Sequence, residues 1–199
     1  IDDDKLLFVA TDRISAFDVI MNEVVPQKGI ILNNLSSFWF DFFKDTKSHF
    51  ISKAEDYDFS DTAYEKIKDK EILKRSTVVK KAERINIECV VRGYITGSAW
   101  NEYKSTNSIN YKKIEQKLSE AQKFVTPIFT PSTKADEGHD EPLSEDDGVN
   151  LIGSQLYYEL EKISIELYSK AAKYCLGKGI ILADTKFEFG YICLLYTSD

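Results

Sequence analysis

GIILADTKFEFG, residues 179–190, decides how the fold is read. Gly179 to Ala183 is a short apolar run, the pattern of a buried strand. Asp184-Thr185-Lys186 turns out of it, and Phe187-Glu188-Phe189 alternates again. Side chains alternate along a strand, so Asp184, Lys186 and Glu188 share one face. Two carboxylates and an ammonium on one face suit Mg²⁺ with phosphate. The ion takes hard oxygen ligands, and a lysine offsets phosphate charge. The same pattern serves equally well as a solvated strand face closed by a salt bridge.

Working outward, a helix is expected before this strand. Ser144-Glu145-Asp146-Asp147 fits a capping box, and Gly153-Ser154 restarts the helix. Leu156, Leu160, Ile163, Leu167 and Ala171 then form one apolar stripe that ends near Gly177 and Gly179. Residues 76–83 (STVVKKAE) and 85–95 (INIECVVRGYI) read as consecutive strands, with Ala82-Glu83-Arg84 as a lobe boundary. Lys5 to Thr11 and Asp18 to Val25 are further strands, the second closed by Pro26-Gln27-Lys28-Gly29. Leu32, Leu35, Phe38, Trp39, Phe42 and Phe43 recur at helical spacing, and this aromatic stripe reads as core. Gly97 to Tyr103 predicts a short helix. Lys104 to Phe124 shows no clear element, and Pro127 and Pro131 bracket an extended segment. Strands, mixed connections and late helices together indicate an α+β protein.

The composition agrees with a packed chain. Of 199 residues, 43% are hydrophobic and 13% aromatic, outside the range of disordered chains. Lys and Arg total 26 against 33 Asp and Glu, a net charge of −7. That balance argues against broad nucleic-acid or anionic-membrane binding, though local basic clusters can still hold phosphate. Cys89, Cys175 and Cys193 show no paired spacing, which argues against a disulfide framework or zinc site. No apolar run approaches membrane-spanning length, and the first residues are not a signal peptide. A cytoplasmic protein is expected.

Three further segments carry reactive groups. Arg92-Gly93-Tyr94-Ile95-Thr96-Gly97-Ser98 ends a strand in a glycine-punctuated turn before a helix. Arg92 can grip a carboxylate or phosphate with two hydrogen bonds, and Ser98 can cap the helix and touch an anion. Read alone, a plain capped turn is the commoner meaning. Thr130-Pro131-Ser132-Thr133-Lys134 and Gly138-His139-Asp140-Glu141 are too polar for a simple linker. There Lys134 can reach nucleotide phosphates and Asp140 can orient an amine. His139 titrates near neutrality but serves as well as a surface histidine. Thr11-Asp12-Arg13-Ile14-Ser15-Ala16-Phe17-Asp18 is a charged turn that either lines a cleft or closes a hairpin.

Taken together, these strings resemble the phosphoribosylaminoimidazole-succinocarboxamide synthase (SAICAR synthase) family. TDRISAFD, ECVVRGYITGSAW, PIFTPSTKADEGHDE and GIILADTKFEFG occur in the family's order, over roughly Leu6 to Gly190. The resemblance implies a two-lobed ATP-binding α+β fold. Residues 1–84 would be an N-terminal lobe built on an antiparallel sheet, and residues 85–190 an α+β lobe for ATP and substrate. It implies an ATP-dependent carbon–nitrogen ligase that joins an aminoimidazole ribonucleotide carboxylate (CAIR) to L-aspartate, giving SAICAR, ADP and phosphate through an acyl phosphate. By position, Glu188 would be a Mg²⁺ ligand. Asp184, Lys186, Arg92 and Ser98 would line the CAIR site, Lys134 would contact ATP phosphate, and Asp140 would sit near the substrates. Lys81, Ala82, Glu83 and Ile85 fall where adenine docks, and Asp12, Arg13 and Ser15 belong to a substrate-side loop.

The family pattern also contains a Gly-Lys turn before the first residue here, and an acidic strand followed by a Ser-Arg stretch after the last matching string. The tail 191–199 does not match it. The resemblance therefore implies lobes incomplete at both ends and little activity from these residues alone. Two other readings are a kinase-like phosphotransferase and a non-catalytic nucleotide-binding remnant. The first lacks an HRDxxxxN loop.

Overall fold

The structure, a computed structural model, describes residues 1–16, 19–60, 69–134 and 140–192. The described residues divide into two compact units, one formed by those of 1–83 with 192 and the other by those of 84–191.

The first unit contains β1 (Lys5–Val9), β2 (Arg13–Ala16), β3 (Val19–Val24), α1 (Lys28–Phe42), β4 (Phe50–Lys53), α2 (Lys70–Lys74) and β5 (Ser76–Lys80). β5 is the middle of an antiparallel sheet ordered β1-β5-β4, and β2 pairs with β3 as a separate ribbon. The β-branched run of β5 suits this place, with Val78 and Val79 essentially inaccessible.

α1 differs from the expected helix in which face it buries. Leu32, Leu35, Phe38 and Phe42 are exposed, whereas Gly29, Asn33 and Ser37 are buried. The cause is a close polar dock. A Cβ on Gly29 would lie 2.7 Å from the Ala10 carbonyl oxygen, so only glycine admits this approach. One turn on, the Asn33 amide donates to the carbonyls of Lys74 and Ser76, both at 3.2 Å, and its oxygen accepts from the Thr77 hydroxyl. The aromatic residues instead pack on one another, with ring centroids 5.1 Å apart for Phe38–Trp39 and 5.5 Å for Trp39–Phe42.

The second unit holds β7 (Ile87–Tyr94), α3 (Gly97–Thr106), β8 (Ser108–Ile109), β9 (Lys112–Lys113), β10 (Lys123–Phe129), β11 (Ser132–Thr133), α4 (Glu145–Ile152), α5 (Ser154–Leu176), β12 (Asp184–Phe187) and β13 (Gly190–Tyr191). The short β6 (Glu83–Arg84) straddles the division. β7 organises this unit. On one side it pairs with β10 and β11; the register shifts between Lys123 and Ile128, and from there Ile128 lies opposite Arg92 and Ser132 opposite Glu88. On the other side it pairs with β12, Asp184 opposite Arg92 and Phe187 opposite Cys89. Both pairings are antiparallel, and with the helices they give an α+β fold. The apolar face of β7 is packed by Leu143, Tyr157 and Leu160, with Phe129, Phe187 and Phe189 at its margin.

α4 begins as expected, with the Ser144 hydroxyl accepting from the Asp147 N–H at 3.1 Å. α5 forms, but its buried line is Tyr157, Leu160, Ser164, Tyr168, Ala171 and Cys175, turned from the expected stripe. Tyr168 explains part of the turn. Its ring lies over Gly93, where an added Cβ would sit 1.8 Å from the hydroxyl oxygen, and the hydroxyl donates to the Leu182 carbonyl at 2.7 Å. Residues 179–183 are not the expected buried strand. Their backbone is engaged elsewhere: the Ile180 N–H closes α5 on the Cys175 carbonyl, and the Ala183 carbonyl accepts from Gly93. Ile180 and Ile181 are consequently exposed, and strand pairing begins at Asp184. Within 104–124, where no element was expected, the Glu102 carboxylate accepts from the N–H groups of Asn110 and Tyr111 and holds the β8–β9 turn.

Two stability tests follow. Asn33→Ala strands two buried carbonyls and a hydroxyl, and is expected to cost about 1–3 kcal/mol in urea unfolding. His49 packs its ring edge-on against Phe40 at 5.4 Å. Burial lowers its pKa from the ordinary 6.5, so the fold favours the neutral ring. The unfolded chain then binds more protons, so stability is full above pH ~6.5 and falls as pH drops through the folded pKa. Melting temperatures of the wild type and His49→Gln across pH 5–8 should diverge in slope below that point.

Candidate functional site

Strand periodicity and register build one polar face in the second unit. Ile128, Arg92 and Asp184 lie side by side in adjacent strands, and two residues further along come Val90 and Lys186. Another two residues along lie Ser132 and Glu88. Opposed side chains of an antiparallel pair point the same way. All these even-numbered positions therefore face away from the α5 core, together with Thr130, Lys134 and Glu188. The expected common face for Asp184, Lys186 and Glu188 is present: all three are exposed, while Thr185, Phe187 and Phe189 between them are half-buried.

At one end of the face, Arg92 is a hub. Its Nε donates to the Thr130 hydroxyl at 3.1 Å, one terminal nitrogen to Asp184 at 3.2 Å, and the other to the Ser98 hydroxyl at 3.2 Å. The planar guanidinium reaches three elements at once, which an ammonium cannot do. Burial pulls its pKa down from the ordinary arginine value, opposed by Asp184 and Glu102. Ser98 does not cap α3 as expected. Thr96 is the N-cap, without a side-chain cap bond, and Ser98 serves Arg92 instead.

About 13 Å further along the strand, Glu88 is the hub. Its side chain is only 7% exposed, yet it pairs with Lys186 at 2.7 Å and Lys134 at 3.5 Å. The Ser132 hydroxyl also donates to it at 3.4 Å. Lys134 is bound in turn to Glu188 at 2.9 Å. The hydrogen bond to Glu188 is the main cause that raises the Lys134 pKa; Glu88 and Asp140 add to it through their charge.

The structure thus gathers Arg92, Ser98, Lys134, Asp184, Lys186 and Glu188 on one face. Glu88, Thr130 and Ser132 join them and were not singled out from the sequence. Glu88 had a signal, a lone carboxylate inside the apolar run of residues 85–95, whereas Thr130 and Ser132 are fixed only by register. Asp140 is exposed near Lys134, and His139 lies outside the described residues. Both the N–H and the carbonyl of Ile85 are engaged, with Phe189 and Ile87 respectively.

The other expected residues belong to the first unit. Asp12 is committed to the start of α1, where it accepts from the N–H groups of Gln27 at 3.1 Å and Gly29 at 2.8 Å. Arg13 and Ser15 lie exposed on β2, and Lys81, Ala82 and Glu83 are exposed after β5. Among the described residues, no group of three or more His, Cys, Asp or Glu could hold a metal ion, and no helix is long and apolar enough to cross a membrane.

A profile of the SAICAR synthetase family matches residues 1–194. The phosphoribosylaminoimidazole-succinocarboxamide synthase of Cyberlindnera jadinii is 47% identical over 193 residues, covering 96% of this chain and 64% of the relative. That of Saccharomyces cerevisiae is 47% identical over 196 residues, with the same coverage. The structure of the S. cerevisiae SAICAR synthase, described as complexed with SAICAR, superposes with a TM-score of 0.85 at 45% identity, covering 95% of this chain and 63% of that one. A SAICAR synthetase described as in complex with ADP superposes with a TM-score of 0.72 at 26% identity, covering 96% of this chain and 70% of that one. The chain therefore spans about two-thirds of the length of the relatives it matches. With a matching profile over nearly its whole length and close relatives of one name, this chain belongs to the SAICAR synthetase family.

Proposed function

We propose that the polar face is the substrate-binding face of an ATP-dependent ligase that joins CAIR to L-aspartate, giving SAICAR, ADP and phosphate. The observation that carries this reading is the single-faced set of Arg92 on β7, Asp184 and Lys186 on β12, and Lys134 and Glu188 just past the ends of β11 and β12. The two relatives described with SAICAR and with ADP support it.

The chemistry demands such a face. A carboxylate is a poor electrophile, so its oxygen first takes the terminal phosphoryl group of ATP and ADP leaves. The aspartate amine then attacks the acyl carbon, phosphate departs, and the amine loses a proton. Every reactant is anionic, so the work of the protein is to hold negative charges close together in fixed orientation. Arg92, held in place by Thr130, Ser98 and Asp184, would grip the ribonucleotide acid beside Lys186. Lys134 would meet the nucleotide phosphates, and Asp140 would orient the amine. Glu188 is a hard oxygen donor with a half-exposed side chain (51%), which fits Mg²⁺ completed by phosphate and water. That ion would offset charge on the transferring phosphoryl group. Lys81 to Ile85 is read as the adenine contact, and Asp12, Arg13 and Ser15 as a substrate-side loop. In this reading Asp12 acts through α1 rather than by touching ligand. Freely diffusing anionic substrates suit a cytoplasmic enzyme.

The binding roles can be separated by calorimetry. Arg92→Lys should weaken CAIR binding at least tenfold, about 1.4 kcal/mol, with little effect on Mg²⁺–ATP. Lys134→Met should do the reverse. If both variants bind both ligands as the wild type does, the face is not the site. Turnover with labelled ATP tests the reaction class. A ligase releases phosphate only when aspartate is present with CAIR, and label found on a hydroxyl instead would indicate a phosphotransferase.

A further inference from the structure

Glu88 is the one charged side chain of this face that a ligand could hardly touch. It lies beneath two lysines and is 7% exposed, against 61% for Lys186 and 23% for Lys134. A carboxylate removed from water is costly unless its charge is met. Here each oxygen has its own ammonium: Oε2 meets Lys186 at 2.7 Å and Oε1 meets Lys134 at 3.5 Å. The lysines come from separate parts of the chain, one on β12 and one following β11. Strand pairing brings the two segments to either side of β7, and one buried anion between them holds both ammonium groups.

The second partner of Lys134 makes this more than a structural pair. Its shorter bond, 2.9 Å, is to Glu188. In the reading proposed above, on which this inference rests, Glu188 would hold a metal ion when nucleotide is bound. Lys134 would then give up its closer anion. Glu88 remains as the anchor that keeps its ammonium at the phosphates. We propose that Glu88 is a positioning residue: it touches no ligand, but it fixes Lys134 and Lys186 so that phosphate is met by ammonium groups already in place.

A double-mutant cycle tests this, using wild type, Glu88→Gln, Lys134→Met and the double variant, with Mg²⁺–ATP binding followed by calorimetry. Glutamine keeps the size of the side chain and its hydrogen bond to Ser132 but removes the charge. Each single variant should weaken binding about tenfold, and the double variant should bind no more weakly than Lys134→Met alone, because the two act through one contact. A wild-type affinity in Glu88→Gln, or a double variant showing the product of both losses, would overturn the proposal.

A second readout needs no nucleotide. With lysines carrying ¹³C-dimethyl labels, Glu88→Gln should shift the NMR signals of Lys134 and Lys186 towards those of free lysine and leave the others in place. Unmoved signals would overturn the proposal even if nucleotide binds. Should Lys134→Met bind Mg²⁺–ATP normally, the phosphate role of Lys134 fails, and the NMR result alone judges whether Glu88 holds the pair. If Glu88→Gln does not fold, Glu88→Asp keeps the charge but withdraws it by one methylene, and the same two signals should shift partway.

Discussion

The structure of the second unit depends on one constraint, the two-sidedness of β7. This strand is paired along both edges, so its backbone hydrogen bonds are satisfied and its side chains must divide strictly between two faces. Ile87, Cys89 and Val91 go into the apolar layer beneath α5. Glu88 and Arg92 go to the other side. A shift of one residue would put both charges into the core and turn the apolar residues outward, so register is specified far more strongly than strand propensity alone requires. Gly93 belongs to the same constraint, since the Tyr168 ring occupies the space above it and ties α5 to the segment leading into β12.

The charged face built this way is balanced within itself. Three cations, Arg92, Lys134 and Lys186, meet three carboxylates, Asp184, Glu88 and Glu188. Pairing lets these groups stand close together on an acidic chain without strong repulsion. In the proposed reading, an anionic ligand would have to exchange with carboxylates already bonded to the cations. The two hubs differ in kind. Arg92, with a side chain only 13% exposed, is bonded to two neutral hydroxyls and one exposed acid and still has N–H groups beyond those three bonds. Glu88 is covered by its partners.

The first unit shows the same preference for backbone fit over bulk hydrophobicity. α1 meets its sheet through glycine, asparagine and serine because the helix comes close enough for the Asn33 amide to reach the backbone at Lys74 and Ser76. Phe38, Trp39 and Phe42 stay out of that gap and pack edge to face with one another, while Phe40 stacks on Phe50 of β4.

The sequence by itself determined a good deal: the α+β class, the places of α1, β5, β7, α3 and α5, the N-cap at Ser144, and the common face of Asp184, Lys186 and Glu188. These are local, since strand alternation and helix capping act over two to four residues. The tertiary structure alone decided the rest. Glu88 became a hub because β7, β11 and β12 come into register there, and Ser98 became a partner of Arg92 because the guanidinium extends across the start of α3. The α1 stripe turned outward because the Asn33 amide is held by the carbonyls of Lys74 and Ser76, and residues 179–183 stayed irregular because the Ile180 N–H donates to Cys175 and the Ala183 carbonyl accepts from Gly93. Such choices depend on which distant atoms arrive within about 3 Å, and no pattern along the chain records that.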